Sequence, residues 1–240
     1  MAGLTVLVDH VASLRNSGRG ADPSPATAAL LAELGGADGI GAGWHPARAL
    51  IDEQDLRLLR QSVHGRMVLH LTAAPEWVGL ALDIQPERVI LRPSETSDEG
   101  KAADAFDMAL HTKTIFDMVD TLQSNGIGVG VAIVPEPEQV KSAHQARASW
   151  IHISTRRLQT APSAANQHQE LLKIIDVVKM AHRLRLRIAL GGGLDFRLVK
   201  LFTGLKEIDE FSIGHGIIAR AVLVGMETAV RDMVTLIRTL

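Results

Sequence analysis

The chain has 240 residues, a formal charge of −2 and 46% hydrophobic residues, enough to bury a large core in one big α/β domain or two small ones. The near-zero charge gives no electrostatic basis for nucleic acid or an anionic membrane as partner, and no apolar run reaches the roughly 18 residues of a membrane-spanning helix. Without cysteine there is no disulfide, thiolate metal site or cysteine nucleophile; tyrosine is absent too, so the ten histidines carry much of the chemistry available near neutral pH.

The opening "MAGLTVLVDH" lacks a basic segment followed by a long apolar one, so no signal peptide is expected and the cytoplasm is the expected compartment. The first strand is "LTVLVD" (4–9). A helix follows at 24–36, "SPATAALLAELGG", with Ser24 as N-cap, Pro25 in the first turn and glycine at its end. Then come strand "DGIGA" (38–42), helix "DEQDLRLLRQSV" (52–63), and strands "MVLHL" (67–71) and "RVILR" (88–92). A long helical pattern covers 104–126, strand "GVGVAIV" 128–134, helix "PEPEQVKSAHQA" 135–146, strand "WIHIS" 150–154 and helix "NQHQELLKIIDVVKMAHRL" 166–184. Strand "RIAL" (187–190), helix "DFRLVKLFTG" (195–204), strand "EFSIG" (210–214) and helix "METAVRDMVTLIRTL" (226–240) complete the chain.

Most of the strands are apolar on both faces, the mark of parallel strands covered on both sides. Eight strand–helix units in 240 residues match a (β/α)₈ TIM barrel, whose usual size is about 250 residues. A doubly wound open sheet would show fewer strands and one distinct phosphate turn after the first. No linker or composition break divides the chain, so residues 1–240 read as a single barrel domain.

Active sites of such barrels lie at the C-terminal ends of the strands. His70 in "RMVLHLT" stands there, on one face with Val68 and Thr72. "ALGGGLD" (189–195) and "SIGHGIIARAV" (212–222) close the last two strands; glycines admit close backbone approach to an anion, and a following helix adds its positive end. That is the recurrent phosphate position of these barrels, although such glycines also serve plain tight turns. Asp9 and His10 end the first strand: a carboxylate beside an imidazole can orient it, or cap a loop. Arg15 and Arg19 read equally as phosphate contacts or as solvated loop charges. His45, His70 and His152 fall at or near the ends of the second, third and sixth strands, and with Asp9 and His10 would form a candidate ligand set for Zn or Fe. Each alone reads more simply as a core or substrate-binding histidine. Glu136 and Glu138 read as a loop-to-helix start between prolines, and His64, His111, His144, His168 and His182 as surface or packing residues.

"VDHVASLRN", "AELGGADGI", "DLRLLRQS", "RMVLHLT", "EPEQVKSA" and "SIGHGIIARAVLVGMETAV" follow one another as in the pyridoxine 5'-phosphate synthase (PdxJ) family, which the chain resembles from Val6 to Ala229. The resemblance implies a (β/α)₈ barrel, a homo-oligomer (dimer or octamer) and a metal-free condensation of 1-deoxy-D-xylulose 5-phosphate with 3-amino-2-oxopropyl phosphate. It implies that Asp9 and His10 contact the deoxyxylulose phosphate and that Gly193, Gly214 and His215 hold the aminoketone phosphate. Arg19 stands one place from the family's arginine, whose position is Gly18. Elsewhere the chain departs. The family's glutamate base is His70, its histidine after the second strand is Gly43, and an arginine two places on is His45. The histidine of its "GHG" is Gly192, an asparagine is Leu7, a substrate-binding histidine is Leu50, and a glutamate of the sixth strand is His152.

The main expectation is therefore a diverged enzyme of this family acting on a small anionic or phosphorylated metabolite. Its catalytic residues would be His70, His10, Asp9 and His45, its phosphate ligands Arg19, Gly193, Gly214 and His215, and its metal ligands His45, His70 and His152. The alternatives are pyridoxine 5'-phosphate synthase itself and a non-catalytic phosphometabolite-binding protein.

Overall fold

The computed structural model describes residues 1–18, 20–45, 50–93 and 108–240, the side chains of 108–112 excepted. The short β-branched and glycine-rich runs form strands β1 (Gly3–Leu7), β2 (Gly39–Trp44), β3 (Arg66–Thr72), β4 (Arg88–Arg92), β5 (Gly128–Ile133), β6 (Trp150–Ser154), β7 (Arg187–Gly191) and β8 (Glu210–Ile213). They pair in parallel and in chain order, and β8 closes on β1. Between them lie α1 (Asp9–Gly18), α2 (Pro25–Leu34), α3 (Glu53–Ser62), α4 (Val78–Ile84), α5 (Met108–Ser124), α6 (Pro137–Gln145), α7 (Arg156–Gln159), α8 (Ala164–Arg183), α9 (His215–Val224) and α10 (Met226–Ile237). The barrel is as expected, with strand ends within two residues of the expected positions. Ser24 caps α2 by accepting from the Thr27 amide, and Asp52 and Asp55 form a reciprocal capping box at α3.

Helices α4 and α7 have no counterpart among the expected elements, and three further stretches differ from expectation. Residues 195–204 are a turn and a short 3₁₀ segment (Val199–Phe202), entered through Asp195, whose Oδ1 accepts from the amides of Arg197 and Leu198 at 2.9 and 2.7 Å. Helix α1 occupies the stretch read as a loop after the first strand. Helix α9 fills the stretch read only as a glycine-rich turn, its β-branched run concealing a helical period. The long helical pattern begins at 104, outside the described residues as far as 107.

Parity places the site. Side-chain direction alternates along a strand, so the face carrying Val68, His70 and Thr72 points into the barrel. There Val68, Ile90 and Ala132 form a small dry cluster, while the main core lies between the strands' outer faces and the helices. Below that cluster, at the N-terminal floor, Arg88 Nη2 donates to Glu210 Oε1 at 2.5 Å and Ser212 Oγ donates to the same oxygen at 3.3 Å. The guanidinium groups of Arg88 and Arg187 lie 3.8 and 4.5 Å from the Trp150 ring centroid. His70 and His152 stand above, toward the opposite end.

Candidate active site at the barrel mouth

At the C-terminal end a cavity of about 280 Å³ opens between β6, β7, β8 and the start of α9. Its wall combines the Gly191–Gly193 turn, His10, His215, Arg92 and Arg156 with the polar side chains of His152, Ser154, Gln159 and Ser212. No carboxylate stands among the described lining residues. Gly192 and Gly193 have φ of +96° and +87°, the left-handed region that side chains adopt only at a cost. Gln159 packs so close to Gly193 that a Cβ there would lie 2.0 Å from its Oε1. Across the cavity Gly214 precedes α9 with no side-chain cap, so the first amides of that helix are available to an anion.

Of the expected phosphate ligands, Gly193, Gly214 and His215 meet here; Arg19 lies outside the described residues. His10 joins them, its ring centroid 5.3 Å from that of His215. The His10 pKa is lowered, chiefly by desolvation; Asp9 opposes that shift and His215 adds to it. Arg15 does not face the cavity. It forms a fork to Asp55 at 2.6 and 2.8 Å and donates to the Leu50 carbonyl at 3.0 Å, tying α1 to the start of α3; it is neither a phosphate contact nor a solvated loop charge. Asp9 Oδ1 accepts from the Gly43 amide at 2.7 Å, joining the ends of β1 and β2, and a Cβ at Gly43 would lie 2.6 Å from that oxygen.

The three histidines assemble only in part. His70 and His152 meet across the barrel edge-to-face, centroids 5.3 Å apart and rings at 86°. His45 Nδ1 instead lies 3.4 Å from Thr72 Oγ1. Among the described residues no group of three or more His, Cys, Asp or Glu is disposed to hold a metal ion, so the Zn or Fe ligand set is not preformed. Burial holds the His70 pKa well below its usual value, with His152, Arg92, Arg88 and His45 adding to the effect. Burial and the same two arginines push His152 down to about 3.

Both His70 nitrogens and His152 Nε2 are buried without a hydrogen-bond partner. His152 lines the cavity, and His70 stands behind it. Sequence reasoning did not assign Arg92, Arg156, Gln159 or Ser212 to the site. Arg92 and Ser212 were reachable from strand parity. Gln159 was not, because its role depends on the contact with Gly193, 34 positions away in the chain. Glu136 caps α6 and pairs with Arg157 at 3.3 Å, an ordinary helix start as read.

The family model described as pyridoxal phosphate biosynthesis protein PdxJ matches residues 4–239. The pyridoxine 5'-phosphate synthase of Desulforapulum autotrophicum is 42% identical over 240 residues, covering all of both chains. That of Thermosynechococcus vestitus is 43% identical over 237 residues, covering 99% of each. Among solved structures, phosphoribosylanthranilate isomerase from Thermotoga maritima covers all of both chains with a TM-score of 0.62 at 15% identity, a likeness of fold.

Proposed function

The chain belongs to the PdxJ family, and on that premise we propose that it binds small phosphorylated metabolites at the barrel mouth and joins two of them in a pyridoxine 5'-phosphate synthase-type condensation. The observation that carries the phosphate reading is the pair of positive-φ glycines facing the uncapped start of α9 across a cavity with no described carboxylate in its wall. The reaction is supported by full-length relatives that bear that name. Here His10, His215 and the α9 amides take the phosphate, and His70 holds the place of the family's base. In the ligand-free protein His70 is a poor proton acceptor, since burial and neighbouring positive charge keep it neutral. A phosphate bound beside Arg92 offsets part of that charge and raises the proton affinity of both imidazoles. Gly43 and Gly192 supply no proton-transfer group where the resembling family has histidines. Such groups are typically worth about 10²–10⁴-fold each, so turnover is expected at least about 10²-fold below that of a relative assayed alongside.

Incubation with 1-deoxy-D-xylulose 5-phosphate and 3-amino-2-oxopropyl phosphate, with detection of pyridoxine 5'-phosphate and released phosphate, tests the reading. Slow formation of both supports it; tight binding of either substrate without product overturns the condensation and leaves a phosphometabolite-binding protein.

The unpartnered imidazoles favour a second reading, a diverged reaction at the same mouth. A Zn or Fe site at His45, His70 and His152 would belong to it; elemental analysis of untagged protein before and after His70→Ala tests it. The partner proposed besides substrate is a second copy of the chain, seated on the apolar groove of about 390 Å³ between α1, α2 and α9, where Leu14, Leu31 and Val222 are exposed. Light scattering on the purified protein reads that state. Among the described residues no helix is long and apolar enough to cross a membrane.

A further inference from the structure

We propose that His152 reads a hydroxyl group of the bound ligand through Nε2, with His70 behind it as a positioning residue. The inference rests on the anion-binding reading above and adds what the ligand carries at its other end. His152 is only 5% exposed yet lines the cavity. Nε2 is buried without a hydrogen-bond partner. With the ring neutral and its proton on Nδ1, Nε2 carries the lone pair and accepts. A Cβ at Gly191 would lie 2.5 Å from Nε2, so the glycine keeps that edge of the ring clear on the cavity side. His70 packs against the ring at 86° and fixes its plane.

A buried acceptor without a partner destabilises the protein that carries it, unless a ligand covers it. The donor that fits is uncharged. Arg88 and Arg92 both act on the ring, so an ammonium would be repelled where a hydroxyl is not. The ligand class is thus a phosphate monoester with a hydroxyl remote from the phosphate.

Calorimetry with inorganic phosphate, then with ω-hydroxyalkyl phosphates of two to four carbons and their n-alkyl counterparts, tests this. At one chain length the hydroxyl ester should bind about 10-fold or more tighter than its alkyl counterpart. His152→Leu should abolish that preference while inorganic phosphate binds within about 2-fold of the parent, and His152→Gln, which keeps an acceptor, should restore part of it. In the complex the ¹⁵N resonance of Nε2 should keep the character of an unprotonated, hydrogen-bonded nitrogen. His70→Leu should reduce the preference without removing it and leave that resonance unprotonated. A preference absent at every length, or persisting in His152→Leu, overturns the proposal while phosphate binding stands. Failure of inorganic phosphate to bind the parent overturns the anion reading, and this inference with it.

Discussion

The two ends of the barrel interior both hold charged and polar side chains, and they treat them in opposite ways. At the floor, Glu210 pairs with Arg88, Asp209 with Arg187 at 2.7 Å, and Trp150 lies between the two guanidinium groups. At the mouth, the imidazoles of His70 and His152 touch each other but leave three ring nitrogens without partners, and no carboxylate stands among the described residues lining the cavity. Barrel folds divide labour in this way, with stability at the N-terminal end and chemistry at the C-terminal end. What separates the two ends is charge pairing: the floor's arginines meet carboxylates, although Arg88 Nε and Glu210 Oε2 still lack a hydrogen-bond partner, whereas the mouth leaves neutral imidazole nitrogens at a cavity.

The largest test of that contrast is acid. His70 and His152 have lowered pKa values in the folded protein, so below about pH 6.5 the unfolded chain binds protons that the folded chain refuses. Stability therefore falls as pH drops from about 6.5 toward the His152 value of about 3, by up to about 1.4 kcal/mol per pH unit for each ring. Urea titrations at pH 7.5 and 4.5 should differ by about 3 kcal/mol from His152 alone, with His70 adding to the loss in the same direction. The double variant His70→Leu, His152→Leu should lose that part of the slope.

Next in size, Glu210→Ala strands Arg88 in the floor and should cost about 3–5 kcal/mol in denaturant unfolding. An apolar pair at 88 and 210, Arg88→Met with Glu210→Leu, should recover most of the loss. At the mouth the sign reverses. His70→Leu removes two unpartnered nitrogens and should raise stability by about 1–2 kcal/mol at neutral pH. A loss of more than about 1 kcal/mol there would show that the mouth is paired like the floor. Outside both regions, Glu227→Ala breaks only the exposed pair with Arg231 and should change stability by no more than about 0.5 kcal/mol.

Much of this layout was legible in the sequence because it follows from alternation. Eight apolar runs gave the barrel, and parity alone put His70 and His152 inward on strands that face each other across it. What alternation does not encode is rotation of a side chain about its own bonds. His45 sits at the right strand end, yet its nitrogen lies by Thr72. Arg15 looked like a loop cation because its partner Asp55 lies 40 residues on, in a helix whose approach to α1 only the closed barrel defines. Helix α9 escaped notice for a local reason: Ile217, Ile218, Val222 and Val224 give it a composition that reads as strand.

The hydrogen bond between Asp9 and the Gly43 amide bears on how far this site can be walked back toward the resembling family. A histidine returned to position 43 would meet Asp9 Oδ1 at its first side-chain carbon. One returned to position 192 would inherit a φ of +96°. Each reversal carries a local cost: the Asp9 carboxylate must give way in one case, and a side chain must sit at positive φ in the other. The distance of this mouth from the resembling family is therefore measured in local strain as well as in a count of substitutions.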